Sequence, residues 1–417
     1  MKRILIILLI IILAAFFIFS GCKIEFDFDD DDDTLAFANE WGNFIKDKDD
    51  DFLIYDSAEE IRASWFSYLE LNPDKISEQS KYEAYLDGVF KNLKTLSVNT
   101  LFVQVRAFCD AIYPTDNFES SSCVVKARSD KLPFDFLEVI INKAAEYEMQ
   151  VHAWINPYRI VTSIRNETVS PDSRLGKLIA ENAGDVIKTD SGTYLNPASL
   201  KAQQLVIDGV RELFENYKIC GIHLDDYFYP TTDKSFDNSS YRSYKKSGGK
   251  LSLDDWRREN VNNLISGIYS AAKSYSENAV VSISPSADIA KNYSTLYADV
   301  EKWCGEEGFA DWIMPQIYFG FENQTMPFER VALSWKELCK ERTVKICPGL
   351  ALYKVGTDDV FAGTGADEWK ENNDIISRQV KFLKENDFDG FCLFSSKFVN
   401  FNKNVMKKEL KNLCDVL

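Results

Sequence analysis

The stretch that decides the fold is Gly221-Ile222-His223-Leu224-Asp225-Asp226-Tyr227-Phe228-Tyr229-Pro230. Within it, Ile222 and Leu224 alternate with His223 and Asp225, and alternate residues of a β-strand face opposite sides. One side is therefore apolar, and the other side carries a histidine and then an acid. Parallel α/β barrels and sheets present catalytic groups in this way, at the C-terminal ends of buried strands. The stretch therefore predicts a buried strand that places Asp225 in a functional site.

The same unit of a short apolar strand, a loop and an amphipathic helix is repeated from Glu60 onward. The predicted strands are Ile61–Tyr68, Thr100–Arg106, Gln150–Asn156, Gly221–Asp225, Ala279–Pro285, Trp312–Tyr318, Val344–Leu350 and Gly390–Phe394. The segments between them carry apolar residues three and four positions apart, which indicates helices. Eight such units favour a (β/α)8 TIM barrel. A doubly wound open sheet is the rival fold, but no glycine-rich phosphate loop opens an early helix.

The first residues predict export from the cytoplasm. Lys2 and Arg3 precede an unbroken apolar run, 4–19, and Ser-Gly-Cys follows it. This pattern is typical of a secretory signal, and its end resembles a bacterial lipobox in which Cys22 becomes the lipidated N-terminus. An uncleaved anchor helix is the alternative interpretation. Both interpretations place the rest of the chain outside the cytoplasm and attach it to a membrane.

The chain divides into three parts. We interpret residues 1–21 as the signal peptide, 22–57 as an acidic disordered tether, and 58–417 as one (β/α)8 barrel. The tether contains the aspartate-rich run 27–33, and like charges keep such a segment extended. The net charge of the chain is -17, which argues against nucleic acid as a partner because its phosphates need a basic surface. Cys109 and Cys123 lie in one predicted loop and are candidates for a disulfide.

Strand alternation also predicts which side chains face the barrel interior. In the third strand, apolar residues alternate with His152, Trp154 and Asn156, so these three face inward. Applied to the other strands, the argument predicts a convergent group from five strands at the mouth: Arg106, Asn156, Asp225, Ser286, Gln316 and Tyr318. Branched aliphatic residues would dominate these positions if their role were only structural. The convergence therefore favours a functional site.

Asp225 is the central candidate, and an ion pair with Arg106 is its structural alternative. Glycoside hydrolysis normally needs two carboxyl groups. Asp226 faces the other way by parity, but alternation fails at a strand end, so Asp226 is the first candidate for the second carboxyl group. Three other acids qualify by position: Asp288, Glu322 and Glu70. The retaining or inverting outcome is not decided by the sequence.

His152 and His223 lie on neighbouring strands. They are predicted to contact a sugar hydroxyl or to hold Asp225 in place, and the alternative is that they are hydrogen-bonded core residues. With Asp225 they are also the ligands that a metal site would use. No compact ligand signature is present, so we expect no metal.

Several ordered motifs resemble those of the family 10 glycosyl-hydrolase-like proteins, which are bacterial barrel lipoproteins. These motifs are Thr100–Arg106, His152–Arg159, Tyr194–Pro197, Gly221–Pro230, Ser284–Ser286 and Trp312–Tyr318. The resemblance covers about Glu60 to Asn400. It implies a (β/α)8 fold and action on glycans, with cell-wall-derived N-acetyl sugars as a candidate class. It also implies that Asp225 is the catalytic acid at the fourth strand.

We therefore expect a membrane-tethered, extracytoplasmic glycoside hydrolase that needs no cofactor and uses Asp225 and Asp226. Its expected partners are an oligosaccharide or polysaccharide and, through the lipid on Cys22, the membrane. The residues expected to bind substrate are Arg106, His152, Trp154, Asn156, Tyr158, His223, Tyr227, Gln316, Tyr318 and Tyr353. The alternatives are a carbohydrate-binding lipoprotein without catalysis and a metal-dependent hydrolase or deacetylase on the same barrel.

Overall fold

A computed structural model describes residues 60–417 apart from 164, 166, 182, 183, 342, 343, 402 and 403. The predicted signal peptide, Cys22 and the predicted acidic tether lie outside the described residues. None of the helices in the described part of the chain is long and apolar enough to cross a membrane.

Parallel strands, eight of them within the described residues, form the barrel. They are β1 (Ile61–Phe66), β2 (Thr100–Arg106), β3 (Gln150–Ile155), β4 (Gly221–Leu224), β5 (Val280–Ile283), β6 (Trp312–Ile313), β7 (Lys345–Ile346 and Gly349–Leu350) and β8 (Gly390–Leu393). Each strand pairs in parallel with its neighbours in chain order, and β8 pairs with β1. The first segment of β7 pairs with β6 and the second pairs with β8. The ring is therefore closed, and the predicted (β/α)8 barrel is confirmed.

The interruption in β7 has a local cause. Pro348 lies between the two segments, and proline has no N–H to donate to a neighbouring strand. Its carbonyl still accepts a hydrogen bond from the backbone N–H of Cys392, at 2.9 Å. The chain then continues as Gly349, where a Cβ atom would lie 2.7 Å from the indole of Trp65. Glycine at this position lets the indole of β1 pack directly against β7.

Each barrel strand is followed by a helix on the outer face. The helices are α1 (Gln79–Thr95), α2 (Phe136–Glu146), α3 (Leu200–Asn216), α4 (Leu253–Tyr275), α5 (Val300–Gly305), α6 (Phe328–Leu338), α7 (Ile375–Glu385) and α8 (Asn404–Cys414). The N-terminus of α7 is capped by Glu409 of α8, whose buried carboxylate accepts hydrogen bonds from the backbone N–H groups of Ile375, Ile376 and Ser377. This carboxylate satisfies donors that a helix start leaves without partners.

Two apolar cores lie on the two sides of the sheet. The larger one fills the layer between strands and helices. The smaller one fills the barrel and consists mainly of aromatic and small residues: Ile61, Ala63, Trp65, Phe102, Trp154, Val280, Trp312, Met314, Cys347 and Cys392. The barrel interior is therefore closed by packed side chains below the mouth, as is usual for this fold.

Long connections follow the C-terminal ends of the strands. The β3–α3 connection contains a three-stranded antiparallel sheet, Arg159–Thr162, Val186–Thr189 and Gly192–Leu195, and a helix, Arg174–Glu181. The β2–α2 connection contains paired segments, Asp110–Ala111 and Glu119–Ser120. Short helical segments also lie between the barrel elements: Tyr68–Glu70, Asn238–Lys246, Ile289–Lys291, Asn292–Leu296, Leu352–Lys354, Gly363–Gly365, Glu368–Glu371 and Ser396–Phe398. These connections surround one end of the barrel, where loops of this fold form the active site.

Candidate active site

Asp225 lies directly after β4, where its carboxylate accepts three hydrogen bonds. Oδ2 accepts from Asn156 Nδ2 at 2.6 Å and from Trp154 Nε1 at 3.2 Å, and Oδ1 accepts from the Tyr227 backbone N–H at 2.9 Å. The residue is buried, and this burial raises the pKa of Asp225, whereas the three donors and the guanidinium of Arg159 oppose the rise. Donors that stabilise the charged form favour an ionised carboxylate.

The orientation of Asn156 is fixed by a second amide. Gln104 Nε2 donates to Asn156 Oδ1 at 2.7 Å, and Gln104 Oε1 accepts from the Tyr68 backbone N–H at 3.1 Å. Asn156 must therefore present its NH₂ group, not its carbonyl, to Asp225. Strand alternation places Gln104 on the inward side of β2, but nothing in the sequence indicates which side chain it contacts. We call these two side chains, Gln104 and Asn156, the amide relay.

Asp226 is the adjacent carboxyl group and has a different environment. One donor from another residue approaches it, Gln316 Nε2, at 3.2 Å from Oδ1, and its own backbone N–H adds a local hydrogen bond. Gln316 Nε2 also donates to the Ser284 backbone carbonyl at 2.8 Å. Burial, followed by the negative charge of Asp225, raises the pKa of Asp226 to about 7. The environments of the two neighbouring carboxyl groups therefore differ, because Asp225 accepts three hydrogen bonds from other residues and the pKa of Asp226 lies near neutral pH.

Aromatic side chains form one side of the mouth. The rings of Tyr318 and Tyr353 lie 5.8 Å apart, and each is within about 6 Å of Phe394 (5.6 Å and 6.0 Å). All three rings are partly exposed. Phe394 in turn lies 5.8 Å from the buried indole of Trp65. This aromatic cluster of Tyr318, Tyr353 and Phe394 includes two predicted site residues, and the third, Phe394, was not predicted.

A second group lies beside Asp225 on the β3 side. The guanidinium of Arg159 lies 4.3 Å from the ring centre of Phe108 and 5.1 Å from that of Tyr227. Tyr227 is 58% exposed, so its ring is open to a ligand. Arg159 follows Tyr158 in a motif that the sequence analysis quoted, but it was not selected as a site residue. This motif could have indicated Arg159 as a site residue.

The two histidines lie below the mouth and are fully buried. The His223 ring accepts a hydrogen bond at Nε2 from Trp65 Nε1 (2.9 Å), and its Nδ1 lies 2.8 Å from Ser282 Oγ. Burial lowers the pKa of His223 well below its usual range, and burial likewise lowers the pKa of His152 to about 3. His152 stacks on Trp312 with ring centres 5.0 Å apart. Neither ring faces the cleft, so their predicted contact with a sugar is corrected to a place in the neutral barrel core.

Arg106 is a second correction. Its strand, β2, contains an irregularity in which Gln104 pairs with Trp154 but Arg106 pairs with Ile155. One extra residue in β2 therefore reverses the predicted alternation, and Arg106 faces the helices. Its guanidinium lies 4.1 Å from the Phe118 ring centre, and none of its nitrogens has a hydrogen-bond partner among the described residues. Arg106 is not the ion-pair partner of Asp225.

Tyr158 is also displaced from its predicted role, because its side chain is 1% exposed and belongs to the outer core. Two of the other predicted acids have structural partners. Glu70 accepts from the backbone N–H of Ser67 and from Ser396 Oγ, and Asp288 caps Ile289–Lys291. Glu322 is exposed in the loop after β6. Asp226 is therefore the acid that the structure brings beside Asp225.

The sequence was compared with known proteins. The family model described as Glycosyl hydrolase-like 10 matches residues 60–364. The glycosyl hydrolase YngK of Bacillus subtilis is 29% identical over 384 residues, which cover 85% of this chain and 71% of YngK. The glycosyl hydrolase DigH of Escherichia coli K12 is 29% identical over 311 residues, which cover 68% of this chain and 70% of DigH.

Solved structures share the fold at low sequence identity. The glycoside hydrolase domain of PgaB (BpsB) from Bordetella bronchiseptica has a TM-score of 0.55 and 13% identity, over 86% of this chain and 98% of that domain. The alpha-L-fucosidase isoenzyme 2 from Paenibacillus thiaminolyticus has a TM-score of 0.54 and 14% identity, over 85% of this chain and 49% of that chain.

Proposed function

The chain belongs to the Glycosyl hydrolase-like 10 family, and from this premise we propose that it is a glycoside hydrolase with Asp225 and Asp226 as its catalytic carboxyl groups. One observation carries the proposal. Two adjacent carboxyl groups lie at the mouth of the barrel in contrasting environments, with three hydrogen-bond donors from other residues at Asp225 and one at Asp226. Contrasting environments of two carboxyl groups assign acid and base roles in glycosidases.

Asp226 is the general acid in this proposal. Because the pKa of Asp226 is raised to about 7, a substantial fraction of the molecules carries this proton at neutral pH, and Asp226 gives it to the leaving glycosidic oxygen. The ionised form of Asp225, which its three hydrogen-bond donors favour, acts in this proposal on the anomeric carbon, either directly as nucleophile or through a water molecule. The configuration of the first product distinguishes these two routes, since a covalent intermediate leads to retention.

The substrate is a glycan, and N-acetyl sugars of cell-wall origin are the proposed class. The partly exposed aromatic cluster and the exposed ring of Tyr227 support a carbohydrate, because apolar sugar faces pack well on aromatic rings. We further propose that the protein is extracytoplasmic and anchored to the membrane by a lipid on Cys22. The apolar run and small-residue site before Cys22 support this location. Retention of the wild type but not of Cys22→Ala in the membrane fraction tests it.

The activity is tested with a panel of peptidoglycan and other glycans, with products identified by mass spectrometry. Wild type is expected to release defined fragments, and Asp225→Asn and Asp226→Asn are expected to lose this release by at least about 100-fold. Asp288→Asn is the matched control, since it changes a nearby carboxyl group that caps a short helix. Equal product release by wild type and Asp225→Asn would remove the assignment.

Two alternatives are outcomes of the same panel. A carbohydrate-binding protein without catalysis retains a glycan and releases no product with any variant. A metal-dependent hydrolase loses activity with a chelator. Its candidate ligands are not brought together in the structure, because His223 is hydrogen-bonded to Trp65 and Ser282 inside the barrel. No cluster of three or more candidate ligands occurs among the residues described.

A further inference from the structure

Two buried cysteines face each other on neighbouring outer helices. Cys304 is in α5 and Cys339 directly follows α6. The Cys339 thiol donates a hydrogen bond to Cys304 Sγ, and the two sulfur atoms are 3.0 Å apart. Both side chains are buried, at 0% and 3% exposure. The thiols therefore already point at one another in a packed environment.

Other described cysteines contact different groups. Cys109 Sγ approaches the Pro157 carbonyl at 3.8 Å, whereas Cys123 Sγ accepts from Arg165 at 3.4 Å. Hence Cys109 and Cys123, the predicted candidates for a disulfide, have separate partners in the structure. Sequence spacing did not indicate Cys304 and Cys339, because they are 35 positions apart and lie on separate helices.

We propose that Cys304 and Cys339 form a disulfide that links the end of α5 to the end of α6 when the protein meets an oxidising environment. A disulfide bond is about 2 Å long, so each sulfur atom needs to move by about half an ångström. The proposal does not depend on the catalytic function. An extracytoplasmic location supplies the compartment in which such bonds form and persist.

The oxidant is a disulfide, either small or carried by a thiol–disulfide oxidoreductase. One cysteine thiolate attacks it, forms a mixed disulfide and releases one reduced thiol. The second cysteine then attacks the mixed disulfide, so that the protein disulfide forms and the second reduced thiol leaves. The protein loses two electrons and two protons, and the oxidant gains them. The hydrogen bond from Cys339 and burial raise the pKa of Cys304, so the reaction is expected to be faster during refolding than in the closed native state.

The test uses purified wild-type protein refolded or incubated with oxidised glutathione. Remaining thiols are alkylated under denaturing conditions, and the protein is digested with trypsin without reduction. Arg330 and Lys336 separate the two cysteines in the sequence, so they fall on different peptides. Mass spectrometry is expected to show these peptides linked, and dithiothreitol is expected to separate them. The oxidised form is expected to melt roughly 5 °C above the reduced form.

Cys339→Ala removes the link and the melting difference, while Cys109→Ala is the matched control that keeps both. Full alkylation of Cys304 and Cys339 after oxidation, in both the native and the refolded protein, overturns the proposal. A link between Cys109 and Cys123 instead also overturns it. Peptide mapping of the wild type decides the question even if Cys339→Ala does not fold.

Discussion

The hydrogen bond from Asn156 to Asp225 makes a sharp prediction about pH dependence. Asn156→Ala removes the shortest of the three bonds to this carboxylate, at 2.6 Å, and leaves those from Trp154 and Tyr227. The lost bond stabilises only the ionised form. The substitution is therefore expected to raise the pKa of Asp225 and to shift the acidic limb of the pH–rate profile to higher pH.

The magnitude follows from the kind of bond. A hydrogen bond to a charged group contributes about 1.5–3 kcal/mol, and one pKa unit corresponds to about 1.4 kcal/mol. We therefore expect the acidic limb of kcat/KM to move upward by about 1–2 pH units. At pH values below the acidic limb of the wild type, activity then falls by about 10- to 100-fold, and it returns as the pH is raised.

The assay measures initial rates on a glycan that the wild type cleaves, from about pH 4 to pH 9. The matched control is Gln316→Ala, which removes the donor to Asp226 and is expected to shift the alkaline limb upward instead. Carboxyl ¹³C NMR titration of Asp225 gives a second readout that needs no substrate. An unchanged acidic limb in Asn156→Ala, with an unchanged titration of Asp225, would refute the reasoning.

Three further predictions concern the acid, one glycine and one helix cap. Asp226→Asn is expected to remove the alkaline limb of the pH–rate profile and to slow the hydrolysis of glycosides with poor leaving groups by about 100- to 10,000-fold. The hydrolysis of activated aryl glycosides, measured in a chromogenic assay, is expected to slow less. Gly209→Ala places a Cβ atom 2.1 Å from Arg106 Nη1 and 2.5 Å from the Phe118 ring. Although alanine is the better helix former, this overlap is expected to lower the free energy of unfolding, measured in urea, by about 1–3 kcal/mol. Burial raises the pKa of the Glu409 carboxyl group to about 7, so the contribution of Glu409 to stability is complete below about pH 4 and is lost as the pH rises through 7. Glu409→Gln is therefore expected to lessen the fall in melting temperature between pH 5 and pH 8. An undiminished fall would contradict this.

Most of the fold was predictable because its period is regular. Helix–strand alternation located all eight barrel strands within a few residues, and apolar spacing located the helices between them. The main differences are at strand ends. The predicted sixth strand, Trp312–Tyr318, is a two-residue strand followed by an isolated bridge at Gln316. Pro315 lies between them and cannot donate to a neighbouring strand, so the proline was the signal for this break.

The site was predictable only where strands stay regular. Trp154 and Asn156 converge on Asp225 because β3 and β4 alternate without interruption up to the mouth. Alternation failed for Arg106, since an extra residue in a strand leaves no mark in the apolar pattern. Alternation also does not show how deep in the barrel an inward side chain lies. His223 faces inward, as predicted, but it lies below the mouth and not in it. Depth depends on how neighbouring strands are staggered, which one sequence does not reveal.

The two proposed catalytic groups depend on where β4 ends. Consecutive residues of a strand face opposite sides. If β4 continued, Asp225 would therefore point into the barrel and Asp226 would point toward the helices. The strand instead stops at Leu224, and the chain turns so that the Tyr227 N–H donates back to Asp225. Asp226 then points to Gln316 of the β6 end and not to the helix layer. Regular strand geometry thus holds the carboxylate of Asp225 in place. The loss of that geometry one residue later brings the carboxyl group of Asp226, which has a different environment, to the same mouth.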